Sequence, residues 1–201
     1  MTPTRRYDSP RRRAQATATR NAIVEAFIEQ LQEPGREELS PQDAAERAGV
    51  SVRTVHGYFP DRASRLDAIA DWVDSYTYPG GVPEVGGPDG LVSYFFEIHT
   101  QALASPLTRA LLQSRHSADW QEIRQRRRAG RLDEIRKAVE AIGAPPRETR
   151  ETTAMLLRLA GADASLPLHD TYGIPLNRVP AVIANTVELL VEQLRRADSE
   201  P

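Results

Sequence analysis

A short run of polar side chains in the stretch VRTVHGYF has the composition of a surface that contacts another molecule. Its members carry hydrogen-bond donors, acceptors and one fixed positive charge: Arg53, Thr54, His56 and Tyr58. Presented along one short helix, such groups can contact base edges and phosphates in a DNA major groove. The run also includes Gly57, and glycine inside a helix costs roughly 0.5–1 kcal/mol relative to alanine. Either close approach to a DNA backbone or simple tolerance by a short packed helix accounts for that glycine.

Two short helices are predicted to hold this run in place. Ser40 is a favourable N-cap, and Pro41 and Asp43 suit the first and third helical positions. Gly49 is predicted to end that helix in the left-handed conformation, and Ser51 to cap the next helix, which runs to about residue 59. The residues predicted to pack between the two helices are Ala44, Ala45, Ala48, Val50, Val55 and Phe59. This plan is that of a helix-turn-helix, although a generic helical hairpin shares part of it.

Residues 40–66, SPQDAAERAGVSVRTVHGYFPDRASRL, resemble the helix-turn-helix of the TetR (tetracycline repressor) family. The matching positions are Ala45, Ala48, Gly49, Val50, Ser51, Thr54, Tyr58, Phe59 and Leu66. The resemblance implies an all-α homodimer with a three-helix DNA-binding domain at the N-terminus. A larger C-terminal helical domain would hold a ligand cavity and the dimer interface. Members of the family most often repress transcription and release DNA when a small molecule binds.

The residues and the resemblance together define a predicted DNA-binding set. Thr54 and Tyr58 match positions that commonly contact DNA in the family, and Arg62 replaces the familiar lysine at the start of the fourth helix. Arg53 and Gly57 depart from the family pattern, so the operator sequence does not follow from the resemblance. The full predicted set is Arg11, Arg12, Arg13, Ser51, Arg53, Thr54, His56, Gly57, Tyr58 and Arg62. Its expected partner is double-stranded operator DNA.

Positive charge is concentrated at the N-terminus, although the formal net charge of the chain is only −2. The first twenty residues contain six arginines and one aspartate. Such a segment is either a solvated tail or an arm that binds phosphates. We therefore predict a flexible basic arm over residues 1–13, a helix-turn-helix domain over residues 14–61, and a ligand-binding and dimerisation domain over residues 62–201.

The segment TYPGGVPEVGGPDG, residues 77–90, is predicted to be a flexible linker or surface loop because it contains five glycines and three prolines. All later segments are predicted to be helical. One long helix has an apolar stripe formed by Leu132, Ile135, Val139 and Ile142. Arginines are predicted to occupy its opposite face as a solvated surface, with a second nucleic-acid surface as the alternative: Arg124, Arg127, Arg128 and Arg131.

A pocket for an unidentified small-molecule effector is expected among the C-terminal helices. The residues predicted to line it are Tyr94, Phe96, His99, Leu103, Trp120 and Met155, each of which is alternatively a core residue. Residues 148–165 and 177–197 are predicted to form a homodimer interface, because apolar side chains surround more than half of the last helix. An internal core helix is the alternative.

The composition and the absence of certain motifs exclude several classes of function. Hydrophobic residues make up 40% of the chain and charged residues 27%, which is the mixture of a folded protein. The absence of cysteine excludes disulfides, thiolate metal sites and cysteine nucleophiles. No apolar run has the length of a membrane helix, so a cytoplasmic location is expected. The four histidines show no metal-binding spacing and no serine-hydrolase elbow is present, so neither an enzyme nor a cofactor is expected. A DNA-binding activator or architectural dimer without an effector remains the alternative function.

Overall fold

A computed structural model of the chain describes residues 10–113 and 117–199, and every regular element within these two ranges is helical. The helices are α1 Pro10–Leu31, α2 Pro41–Arg47, α3 Val52–Tyr58, α4 Arg62–Thr77, α5 Gly87–Ala104, α6 Pro106–Gln113, α7 Ala118–Glu140, α8 Pro146–Leu159, α9 Ser165–Asp170 and α10 Val179–Ser199. A short 3-10 turn, Ala162–Ala164, precedes α9. The prediction of an all-α fold is confirmed. In the described ranges no helix is both long and apolar enough to cross a membrane.

Side-chain caps begin α2, α3 and α4 at the predicted positions. The Ser40 hydroxyl accepts a hydrogen bond of 3.3 Å from the Asp43 amide, and the Ser51 hydroxyl accepts one of 3.1 Å from the Thr54 amide. Asp61 accepts a bond of 2.7 Å from the Ser64 amide, and the Ser64 hydroxyl lies 3.4 Å from the Asp61 amide, which completes a capping box. Each of these hydrogen bonds joins residues three positions apart, so its formation does not depend on the packing of the other helices.

The first apolar cluster joins α1, α2, α3 and α4, with buried residues such as Phe27, Val55 and Leu66 at its centre. It does not end where α4 begins. It continues along α4 and reaches Leu111 of α6 and Trp120 of α7. The division at residue 61 stays a prediction, and the packing on either side of it is continuous.

The second apolar cluster joins α5, α7, α8 and α10, and α10 packs against both α5 and α8. It also includes Tyr78 and Val85, which are buried and fix both ends of the loop between α4 and α5. The predicted loop over residues 77–90 is therefore too long, since α4 extends through Thr77 and α5 begins at Gly87. Pro88 fits the first turn of α5, where a missing amide proton breaks no helical hydrogen bond.

Candidate nucleic-acid interface and interior cavity

The turn between α2 and α3 has the geometry that a helix-turn-helix needs. Gly49 has a positive φ of 63°, and its amide donates a 3.2 Å hydrogen bond to the Glu46 carbonyl. The next amide, that of Val50, donates a 2.9 Å bond to the carbonyl of Ala45. The Ala45 side chain is buried and small, which lets α3 cross close to α2. The predicted turn at Gly49 is confirmed.

The inner face of α3 packs on α1. Val55 is fully buried, and Phe59, which follows the helix, contacts Phe27 edge to face with ring centroids 6.4 Å apart. The Arg20 guanidinium lies over the Phe59 ring at 5.5 Å. Both contacts tie Phe59, directly after α3, to α1, while α3 itself packs mainly against α2, so both helices orient its outer face.

The outer face of α3 presents the predicted polar run to solvent. Arg53, His56 and Gly57 are exposed, whereas Thr54 and Tyr58 are half-buried. The Thr54 hydroxyl lies 2.8 Å from that of Ser51, which already caps the helix. A guanidinium, an imidazole, hydroxyls and a phenol thus lie on or beside one turn and a half of helix. Together these groups can donate to and accept from base edges.

The predicted basic arm is partly helical. Helix α1 begins at Pro10, so Arg11, Arg12 and Arg13 lie on its first turns, with all three exposed. Residues 1–9 of the predicted arm lie outside the described residues. The prediction of a flexible arm is thus corrected for residues 10–13, because proline is favourable in a first helical turn and no helix-breaking residue follows it. The three arginines remain candidates for phosphate contacts from a fixed helix.

Arg62 lies at the start of α4, as predicted, but carboxylates of α7 already bind it. Its guanidinium donates to Asp119 and Glu122, and the Asp119 carboxylate also accepts a 2.8 Å hydrogen bond from the Leu39 amide. Hydrogen bonds from Arg62, then from Arg126, lower the pKa of Glu122. A phosphate would therefore compete with two carboxylates for Arg62, and in the described structure this residue joins α4 to α7.

The six predicted pocket residues do not surround one cavity. Phe96 and Met155 point outward, with 45% and 51% of their surfaces exposed. Tyr94 and Leu103 are buried in the second apolar cluster. These positions follow from the packing of α5 and α8, which sequence periodicity leaves undetermined.

His99, the fifth of these residues, is fully buried and bonded through both ring nitrogens. Its Nε2 donates to the Leu159 carbonyl at 2.9 Å, and its Nδ1 accepts from the Ser165 hydroxyl at 2.6 Å. Burial lowers its pKa to about 4, so the imidazole is neutral near pH 7. His99 therefore joins α5 to α8 and α9 and has no free ring nitrogen for a ligand.

The sixth residue, Trp120, lines an interior cavity of about 30 Å³ between the first and second apolar clusters. Four arginines of α7 form much of its wall, and Tyr78 and Gly161 also line it. The exposed fractions of these arginine side chains are 16%, 8%, 25% and 13% for Arg124, Arg127, Arg128 and Arg131. The predicted solvated arginine face is therefore wrong.

Two aspartates from other elements make this burial possible. Asp163 binds Arg124 at 2.7 Å and also binds Arg128. Asp74 of α4 lies 2.8 Å from Arg127 and 3.6 Å from Arg131. Burial acts to raise the pKa of Asp163, but the two nearby guanidinium groups outweigh it and hold that pKa below its usual value. Asp163 is thus an ionised counter-ion at neutral pH, and Asp74 is the carboxylate beside the other two arginines.

The spacing of the arginines contained an indication of their burial. Trp120, Arg124, Arg127, Arg131 and Ile135 follow one another at intervals of three or four residues, so they share one face of α7. The first and last members are fully buried. Arginines in the middle of a face that begins and ends in the core are expected to be covered as well.

Comparisons with known proteins identify similar folds but no close relative. No protein-family model matches the chain, and no curated protein matches it. A TetR transcriptional regulator from Rhodococcus sp. RHA1 is similar in structure at a TM-score of 0.49 and 20% identity, with 88% of this chain and 97% of that chain covered. A second transcriptional regulator from the same organism gives a TM-score of 0.49 at 23% identity, with 90% of this chain and 99% of that chain covered.

A variant of TetR from Acinetobacter baumannii AYE, solved in complex with minocycline, gives a TM-score of 0.48 at 18% identity. The match covers 90% of this chain and 98% of that chain. All three TM-scores lie below 0.5 and all three identities below 25%, so these matches carry no functional argument. The functional argument therefore rests on the residues of this chain.

Proposed function

We propose that this chain is a sequence-specific DNA-binding transcriptional regulator of the TetR type, acting as a homodimeric repressor that a small molecule releases from its operator. The observation that carries the proposal is the two-sided construction of α3. Val55 and the adjoining Phe59 fix one side in the core, while Arg53 and His56 are exposed on the other. A short capped helix held in this way can enter a major groove without rearranging.

Dimerisation is supported by apolar surface on α8 and α10. Val179, Ile183 and Val187 of α10 are buried within the chain, yet Leu189 is 67% exposed on the opposite side. Met155 of α8 is exposed as well. A second copy of the chain would cover both side chains, and a two-fold dimer would place two α3 helices on successive turns of DNA.

Release by an effector is supported by a row of ion pairs between α4 and α7. Arg62 at the start of α4 binds Asp119 and Glu122, Asp67 lies 2.5 Å from Arg126, and Asp74 near the end of α4 binds Arg127. Helix α4 directly follows the helix-turn-helix. A change in α7 would therefore be transmitted along α4 to the position of α3.

The proposal is tested by selecting bound sequences from a random double-stranded DNA library with the full chain. We expect enrichment of one inverted repeat whose half-sites lie about one helical turn apart, with a protected footprint over both. Affinity for that sequence should fall steeply with salt, because Arg11 and Arg12 would neutralise phosphates. Recovery of no common sequence would contradict specific binding, and recovery of a single half-site would contradict the dimer.

The dimer is tested independently by light scattering of the Leu189→Glu variant. We expect the variant to be monomeric and the parent chain dimeric, because a charge cannot be buried at a self-complementary apolar contact. The matched control is Glu188→Gln, which changes a charge at the neighbouring exposed position of α10. Dissociation of both variants, or of neither, would contradict an interface at Leu189.

A further inference from the structure

We propose that the arginine cavity binds the carboxylate group of a small organic acid. The inference rests on the proposed function, for which it names the chemical class of the effector. The arginines that line this cavity are the ones for which the sequence predicts a solvated surface. Three observations carry it: an excess of positive charge, buried donors without partners, and an arrangement of donors that matches a carboxylate.

The cavity has more cations than anions. Its wall contains the guanidinium groups of Arg124, Arg127, Arg128 and Arg131, and the ion pairs that reach them come from Asp74 and Asp163. Burial lowers the pKa of Arg128, which reflects the cost of holding this charge away from water. An added anion would reduce that cost directly, since it would supply negative charge where the surrounding wall excludes solvent.

Several donors at the cavity are buried and unsatisfied. Trp120 is fully buried, and its Nε1–H has no hydrogen-bond partner within the described part of the chain. The same holds for Nε of Arg124 and for Nη1 of Arg131, which is 3.6 Å from the nearest Asp74 oxygen. Buried donors in proteins nearly always have partners, so three together at one cavity indicate an absent acceptor.

The shape of the site favours a carboxylate among the oxyanions. A cavity of about 30 Å³ has room for about two or three non-hydrogen atoms beyond those of the protein. A planar carboxylate can accept from two guanidinium groups at once, as Asp163 already does from Arg124 and Arg128. The three non-hydrogen atoms of a carboxylate group fill this space, and Ile98 and Leu112, which line the same cavity, would contact its carbon side.

Gly161 keeps this wall close-packed. A Cβ atom at this position would overlap the Arg128 guanidinium and the Asp163 carboxylate. Glycine therefore allows the backbone after α8 to lie directly against the ion pair.

The proposal is tested by titrating sodium formate, whose three non-hydrogen atoms match the cavity, and sodium acetate into the full chain without DNA, at ionic strength held constant with sodium chloride. Binding is followed by calorimetry and by tryptophan fluorescence in a Trp72→Phe background, in which Trp120 is the remaining tryptophan. We expect saturable binding with one site per chain, and none for acetamide, which has the size of acetate without its charge. Because no DNA is present, failure here is separate from failure of the proposed function.

Two variants locate the site. Arg124→Gln should weaken acetate binding about tenfold or more, since it removes a charged donor. The ion pair between Asp163 and Arg128 remains in this variant. In a second variant, Arg131→Gln, the ion pair between Asp74 and Arg127 remains. Because each variant retains an ion pair, at least one of these two variants is expected to fold. The control Arg147→Gln alters an arginine that is 81% exposed on α8 and should bind acetate like the parent. Equal binding of acetate and acetamide, absence of saturation at millimolar acetate, or equal affinity in all variants would overturn the proposal.

Discussion

Helices α3 and α7 both carry a row of polar and basic side chains, but the two rows have opposite environments. On α3, Arg53 and His56 are exposed and the helix is held by apolar contacts on its other side. On α7 the arginine side chains are largely covered: Asp74 of α4 compensates Arg127 and Arg131, and Asp163 in the turn after α8 compensates Arg124 and Arg128. The comparison shows that arginine content does not identify a nucleic-acid surface. The position of counter-ions decides whether a basic row faces solvent or the interior.

Removing a counter-ion from α7 should have the largest effect on stability. Asp163→Asn would leave Arg124 and Arg128 without their carboxylate in a largely covered site. We expect the free energy of unfolding to fall by about 3 kcal/mol, measured by urea denaturation. The control Asp133→Asn removes a half-exposed carboxylate of α7 and should cost much less, because solvent screens an exposed ion pair. Similar losses in the two variants would show that the buried arginine row needs no internal counter-ion.

The buried polar contacts beside this row should make stability depend on pH through His99. Its pKa is lowered to about 4 in the folded chain, against 6.5 when unfolded, so protonation favours the unfolded state. The His99 contribution is complete above pH 6.5 and is lost as the pH falls to about 4, a loss on the order of 3 kcal/mol.

Denaturation of His99→Gln across this range measures the effect. The variant should be less stable than the parent at pH 7 and show a flatter dependence between pH 6.5 and 4, because glutamine does not titrate. Parallel pH profiles for the two proteins would show that His99 is not the group responsible.

Substitutions on the exposed row of α3 should instead change DNA binding. If Arg53 contacts a base, Arg53→Ala should lose about 1–3 kcal/mol of binding free energy and accept other bases at one operator position. Arg11→Ala, on the first turns of α1, should weaken all sequences equally and reduce the salt dependence by about one charge. Fluorescence anisotropy at several salt concentrations distinguishes the two. A uniform loss for Arg53→Ala would assign Arg53 to a phosphate.

The smallest effect is expected at Gly57, on the exposed face of α3. Nothing lies within 4 Å of a Cβ atom added there, so Gly57→Ala should raise the free energy of unfolding by about 0.5–1 kcal/mol. Weaker operator binding by the same variant would show that DNA approaches this backbone closely. The control Gly49→Ala also meets no neighbour, but its φ of 63° is strained for alanine and should cost about 1 kcal/mol. Destabilisation by Gly57→Ala would contradict the open geometry of the α3 surface.

The part of the fold that the sequence predicts best is the segment from Ser40 to Asp61. The starts of α2, α3 and α4 each depend on a side chain that bonds to a backbone amide three residues away, and α2 is followed by a glycine with a positive φ. Contacts between residues three positions apart can be predicted directly from residue spacing. The start of α5 was predicted less well, because the burial of Tyr78 and Val85 shortens a loop whose composition alone favours a longer one.

Local spacing in this sequence was thus sufficient to define a helix-turn-helix, its caps and the residues on the outer face of α3. Tertiary structure alone decided which carboxylates compensate the arginines on α7, because these are Asp74, about fifty residues earlier, and Asp163, about thirty-five residues later. It also decided that His99 is bonded and buried while Phe96 is exposed. The physical reason is that electrostatic compensation depends on distances between elements. Residue spacing within one helix shows which side chains share a face, but not which groups of other elements lie against that face.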